Sequence, residues 1–169
     1  MTHIFASKKL EKLLQPIITE NSLHIERDFG DWYASYLSIA KKKCLVFVNS
    51  KTFYTVIIPK FLVKDRNNLN ALLIQNLYNQ FLIEGYDIDL DTVIDLVGKT
   101  HFHPTNNNRR LIGILNHYIG KLNYLKYDYA TFNNIVIHEM AQKLNLEPFK
   151  QLHWKTPQEA MKALLISIQ

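Results

Sequence analysis

The stretch Trp32-Tyr33-Ala34-Ser35-Tyr36-Leu37-Ser38-Ile39, followed by Cys44-Leu45-Val46-Phe47-Val48 and then Phe53-Tyr54-Thr55-Val56-Ile57-Ile58, decides the fold. The first run alternates partly, with Trp32, Ala34 and Tyr36 on one face and Tyr33 and Leu37 on the other. The next two are compact apolar runs rich in β-branched and aromatic residues, which favour a pleated, buried surface. Asn49-Ser50-Lys51-Thr52 is a polar turn of hairpin length between them, with Asn49 suited to a left-handed conformation. Lys41-Lys42-Lys43 fits the connection before the middle strand, and Pro59 ends the last one. Three antiparallel strands are expected, joined by a fourth at residues 3–6.

Outward from this sheet the period changes. Ser7 is placed to cap a helix over 8–15, with Leu10, Leu13 and Leu14 inward and Pro16 after its end. Residues 17–30 read as irregular. From about 67, Leu69, Leu72, Leu73, Leu77 and Phe81 recur at helical spacing, with Gly85 as the stop. A short helix is expected over 91–97, ending at Gly98, and His101-Phe102-His103 as a short extended piece. A long helix is expected over 107–125, striped by Leu111, Leu115, Tyr118, Leu122 and Leu125. Another is expected over 131–145, capped by Thr131. Thr156-Pro157-Gln158-Glu159 combines a cap, a proline at the first helical position and a capping-box Glu, opening a last helix to about 167. Strands first and helices later predict one α+β domain over 1–169, sheet-rich in 1–60 and helix-rich in 65–169. Its small antiparallel sheet of three to four strands would be packed by the C-terminal helices.

Composition excludes several classes. The 169 residues carry 20 Lys and Arg against 15 Asp and Glu, a net charge of +5. A domain of this size buries enough apolar surface to fold without staples, and Cys44, the single cysteine, rules out an intrachain disulfide and a cysteine-based zinc site. No leader pattern and no run long enough to span a bilayer are present, so a cytoplasmic location with no membrane association is expected. The basic excess is segregated: residues 1–64 carry ten cations and five anions, residues 65–103 two and six, residues 104–169 eight and four. An anionic partner would therefore meet either the Lys41–Lys43 connection or the Arg109–Arg110 helix start.

Several motifs begin and stop. Asp87-Ile88-Asp89-Leu90-Asp91 lacks the Gly and Glu that a calcium loop requires, and His138-Glu139 lacks a second histidine one turn on. No Walker loop, dinucleotide fingerprint or nucleophile elbow is present, and no cofactor is implied. His101 and His103 would share a face and are weak candidate metal ligands, with His117 or Asp31 to complete a set; the expectation is no metal site.

Two stretches carry the candidate binding surface. On a helix, Arg109, Gly113, Asn116 and Gly120 share one face. Two glycines there cost about 1 kcal/mol each relative to Ala, which implies close approach of a backbone or a ligand. Arg109 at the helix start suits a carboxylate or phosphate, or else an ion pair with Asp31. In Gly30-Asp31-Trp32-Tyr33-Ala34, Asp31 and Trp32 stand at the mouth of a strand and either line a pocket or serve as turn residue and core anchor.

Taken together, these segments resemble a bacterial family catalogued only as a domain of unknown function. Phe29-Gly30-Asp31-Trp32-Tyr33-Ala34 is similar to its Leu-Gly-Asp-Trp-Tyr-Ala segment, and Ser7-Lys8-Lys9-Leu10 to its helix start. Leu45 to Tyr54 is similar to its Leu-x-Phe-Val-Asn-x-x-Thr-Leu-Tyr hairpin. Asn108, Arg109, Gly113 and Asn116 match its Asn-Arg-Ser-Val-Leu-Gly-Ser-Met-Asn-Asp helix start in register, with Arg110 in place of a Ser and His117 in place of an acid. The resemblance covers about residues 1–120, implies one compact domain and brings no activity.

The resulting expectation is a small binding or interaction module with an anion- or partner-binding surface at Asp31, Trp32, Asn49, Thr52, Arg109 and Asn116. Two alternatives stand beside it. One is a nucleic-acid-binding accessory protein using Lys41, Lys42, Lys43, Arg109 and Arg110. The other is an enzyme with Asp31 as acid or base, His101, His103 or His117 as proton carrier and Arg109 as anion clamp.

Overall fold

A computed structural model describes residues 1–20, 24–127 and 133–169. The two expected apolar runs form a hairpin, β2 (Trp32–Ile39) and β3 (Lys42–Asn49), with Trp32 opposite Asn49 and Leu37 opposite Cys44. The turn between them is only Ala40-Lys41, both left-handed at φ 48° and 63°. Lys42 and Lys43 therefore belong to the strand and not to a connection.

The third strand is shorter than the apolar run implied: β4 spans Thr55–Ile58. Phe53, not Asn49, takes the left-handed position at φ 58°. Asn49 stays in the strand and holds the turn with its side chain. Its Oδ1 accepts from the Lys51 and Thr52 amides at 3.0 and 3.1 Å and from Thr52 Oγ1 at 3.1 Å, and its Nδ2 donates to Phe29 O at 2.9 Å.

The sheet is larger than expected and mixed, with five strands in the order β4-β3-β2-β1-β5. β1 (Thr2–Ala6) lies inside it and runs parallel to both neighbours, pairing Phe5 with Tyr33 of β2 and with His103 of β5 (Thr100–His103). The all-antiparallel expectation fails because the chain leaves β1 through α1 (Lys8–Leu14) and a long loop, a crossover that returns it in the same direction. His101-Phe102-His103 is the edge strand that completes the sheet.

Helices cover both faces. Alternation along β1 sends Ile4 and Ala6 to one side and His3 and Phe5 to the other. Ile4, Trp32, Ala34 and Phe47 pack with α1, α2 (Leu69–Ile83), α3 (Leu90–Val97) and α6 (Pro157–Ser167). Phe5, Tyr33, Leu37 and Val46 pack with α4 (Arg109–Leu125) and α5 (Asn134–Asn145). The caps at Ser7, Asn108 and Thr156 form, the last as a full capping box. α5 is capped by Asn133; Thr131 lies outside the described residues. No helix among the described residues is long and apolar enough to cross a membrane.

A polar knot ties α2 to α5 and β4. Glu84 Oε2 accepts from Tyr54 Oη, from Gln80 Nε2 at 2.9 Å and from Asn145 Nδ2 at 3.2 Å. Asn145 also brackets Thr55, accepting from its amide at 2.8 Å and donating to its carbonyl at 3.0 Å. Glu84 Oε1 is buried with no partner among the described residues, and burial pushes this carboxyl above the usual range.

Candidate functional site

α4 and α5 pack mainly on β2, β3 and β4, so the same sheet face is left uncovered by helix toward β1 and β5. The residues that alternation sends to this face there are His3, Phe5, His101 and His103. His3 Nδ1 lies 2.8 Å from His103 Nε2, and His103 Nδ1 lies 2.9 Å from Thr19 O. His101 sits 6.2 Å from His3 between ring centres, with its Nε2 buried and unpaired.

Above them, the loop before β2 lays His24 edge-on against His3 and Phe5, at 4.9 and 5.5 Å between ring centres. His24 Nε2 meets Asp31 Oδ2 at 2.5 Å. The Asp31 side chain is 7% exposed and that of His24 44%. A buried carboxylate thus orients an imidazole that reaches solvent. Burial raises the Asp31 carboxyl above its ordinary value, and the His24 bond offsets part of that rise. His3 is nearly sealed, and burial with the neighbouring imidazoles lowers its pKa to about 4. His101 is lowered by the same cause.

Two clefts flank this cluster and share Phe5 and Thr105. One, of about 180 Å³, opens past the carboxyl end of β1. Phe5, Tyr33, Ile112 and Leu115 make its floor; Ser7, Lys8, Thr105, Asn107 and Asn116 line it with polar groups. The other, of about 220 Å³, is bounded by Glu20, His24, His103 and Asn106. Asn106 Nδ2 donates to Tyr33 Oη at 2.6 Å, pinning the wall between them. Position follows from topology: β1 leads to α1 on one face, β5 to α4 on the other, and a crevice opens where the two depart.

The predicted site residues divide. Asn116 is exposed and lines the first cleft. Asp31 belongs to the histidine cluster, but its partner is His24; the proposed ion pair with Arg109 does not form, and Arg109 is exposed at the helix start. Trp32 is fully buried on the opposite sheet face, and Asn49 and Thr52 are spent on the turn. Trp32 faces away from Asp31 because adjacent residues in extended chain point oppositely, and Asn49 and Thr52 are engaged by the turn's own hydrogen bonds.

Arg109, Gly113, Asn116 and Gly120 do share a face, but an exposed one. A Cβ at either glycine would meet nothing within 4 Å among the described residues, so none of their backbone approaches there. Gly30 is the glycine the site needs: φ is +86°, and a Cβ would fall 2.8 Å from Ser50 Oγ, which receives the Asp31 amide.

His117 lies apart, 2.8 Å from Glu147, which also binds Lys121 at 2.6 Å. Among the described residues no three of His, Cys, Asp and Glu are arranged to hold a metal ion. The Lys41–Lys43 and Arg109–Arg110 groups do not form one surface. Arg110 stacks on Phe53, 5.0 Å from the ring centre, at the far end of β3 from Lys42, roughly 25 Å away for eight extended residues.

His3, His24, Phe5 and Tyr33 were not singled out from the sequence. Only the parity of His3 and Phe5 with His101 and His103 hinted at a shared face, and that hint needs the parallel β1–β5 register. A family model catalogued as a domain of unknown function, DUF6933, matches residues 3–160, and the chain belongs to that family. No curated protein matches it.

Proposed function

We propose that this DUF6933 member is a binding module for a small ligand, held in the cleft past the carboxyl end of β1. One observation carries the reading: an open crevice at the sheet's switch point with an aromatic and aliphatic floor and a polar rim that includes Lys8, Asn107 and Asn116. Phe5, Tyr33, Ile112 and Leu115 suit a flat apolar body. Lys8, at the same wall, supplies the cation for an acidic group, and Asn116 and Asn107 supply hydrogen bonds. Of the surface expected from the sequence this reading keeps Asn116 and adds Lys8; Asp31, Trp32, Asn49, Thr52 and Arg109 do not line this cleft.

The test is an NMR titration with benzoate and, separately, with inorganic phosphate. Expected shifts centre on the Tyr33 ring and the Asn116 amide, respond to benzoate more than to phosphate, and disappear in Asn116→Leu. Shifts that ignore this substitution, or that cluster elsewhere, defeat the proposal.

A second reading, an enzyme, draws on the His24–Asp31 pair. A buried carboxylate that orients a half-exposed imidazole at a cleft wall is the arrangement of a general base. Its proton carrier would be His24, in place of the His101, His103 and His117 expected from sequence. Turnover of any cleft ligand that is lost in His24→Gln while binding persists would favour it.

A further inference from the structure

The last turn before α6 presents a tryptophan at a cost in backbone conformation. His153 and Trp154 are consecutive left-handed residues, at φ 54° and 63°. L-residues with large side chains avoid this region, and such strain persists only where surrounding bonds over-determine it. Here they do: Trp154 N donates to Phe149 O at 2.9 Å, Phe149 N to Lys155 O at 3.2 Å, and His153 N to Lys150 O at 3.0 Å. The strained turn is clamped, and its product is a Trp154 side chain left in solvent, the residue 68% exposed.

The turn carries two cations, and the acids before and after it in sequence are already engaged, Glu147 with His117 and Lys121 and Glu159 with the Thr156 amide. Lys150 and Lys155 flank Trp154 in the turn, and both are exposed. Phe149, whose backbone anchors the turn, packs edge-on against Phe53 at 5.4 Å, and Arg110 lies over that Phe53 ring. An exposed indole in a turn that also carries two exposed lysines matches the chemistry of single-stranded nucleic acid: the ring stacks on a base of any identity, and Lys and Arg meet the flanking phosphates.

We infer that the Lys150–Lys155 turn, together with Arg110, which is joined to it through the Phe53–Phe149 ring contact, is a contact site for single-stranded nucleic acid, separate from the cleft. The site is not the Lys41–Lys43 group, which lies at the β2–β3 turn and the start of β3.

The protein carries its own probe. It has two tryptophans, and Trp32 is fully buried, so Trp154 is the solvent-facing fluorophore. Titration with a short oligo(dT) at low salt should quench the Trp154 emission and leave Trp32 alone; Trp154→Phe should show no quenching. Trp154→Ala should bind about tenfold or more weakly by anisotropy of a labelled oligo(dT). With three phosphate contacts, the slope of log K against log salt should be about −2, falling toward −0.7 in a Lys150→Ala/Lys155→Ala variant. No quenching at low salt overturns the inference. So does a salt slope unchanged in the double variant, or equal binding of a duplex or of polyglutamate, which would reduce the turn to a nonspecific cation.

Discussion

Acid should unfold this protein partly through one imidazole. His3 is 3% exposed, bonded to His103 and bounded by His24, His101 and the chain's amino terminus. Its pKa in the fold is about 4 against 6.5 free. The sign follows from proton counting. Below 6.5 the unfolded chain binds a proton that the folded one refuses until about 4, so folding loses stability as pH falls through that window and nothing above it. The separation of about 2.5 units, at about 1.4 kcal/mol each, sets a loss of roughly 3 kcal/mol when fully developed.

Asp31 and Glu84, whose burial raises their pKa, act in the opposite direction, and the comparison must cancel them. Urea denaturation of the wild type and of His3→Gln, from pH 7.5 to pH 4, does so. The offset between the two at pH 7.5 is the cost of the lost His3–His103 bond. The reasoning concerns the slope: the wild type should lose roughly 3 kcal/mol more than the variant by pH 4. Parallel curves would refute it, as would an imidazole resonance of His3 that titrates near 6.5 in the native protein.

Two further outcomes follow from the same structure. Gly113→Ala and Gly120→Ala should each stabilise the protein by up to about 1 kcal/mol in urea denaturation, because the helix gains and nothing stands within 4 Å of either new methyl; a loss would mean that the face is covered. Glu84→Gln keeps an acceptor for Tyr54 and Asn145 and removes a buried charge with one unpaired oxygen. Near pH 8 it should match or exceed wild-type stability, and it should abolish the gain the wild type makes as falling pH protonates Glu84 in the fold, whereas Glu84→Ala should cost about 2 kcal/mol or more.

Local chemistry made much of the fold legible. Ser7, Asn108 and Thr156 are caps because a short oxygen side chain reaches the next turn's amide. The two leucine-rich stripes are helices because their period is helical, and the hairpin strands follow from β-branched runs around a short turn. The same local reasoning placed Arg109, Gly113, Asn116 and Gly120 on one face of α4. It had no means of deciding which side of that face met the sheet, and two exposed glycines have the same sequence as two packed ones.

The candidate site was less legible because its contacts are long-range. His3 meets His103 one hundred residues away, and only after β1 and β5 pair in parallel. His24 lies in a stretch with no period, so nothing local points it at Asp31. Trp32 and Asp31 read as one motif, yet one peptide unit turns them to opposite sides of the sheet. The sequence by itself therefore determined the elements, their approximate extents and their parity, since these depend mostly on bonds within a few residues. Tertiary structure alone decided the direction of β1, the histidine patch beside it that a loop and not a helix covers, and the cleft that opens there, because each depends on which strands become neighbours.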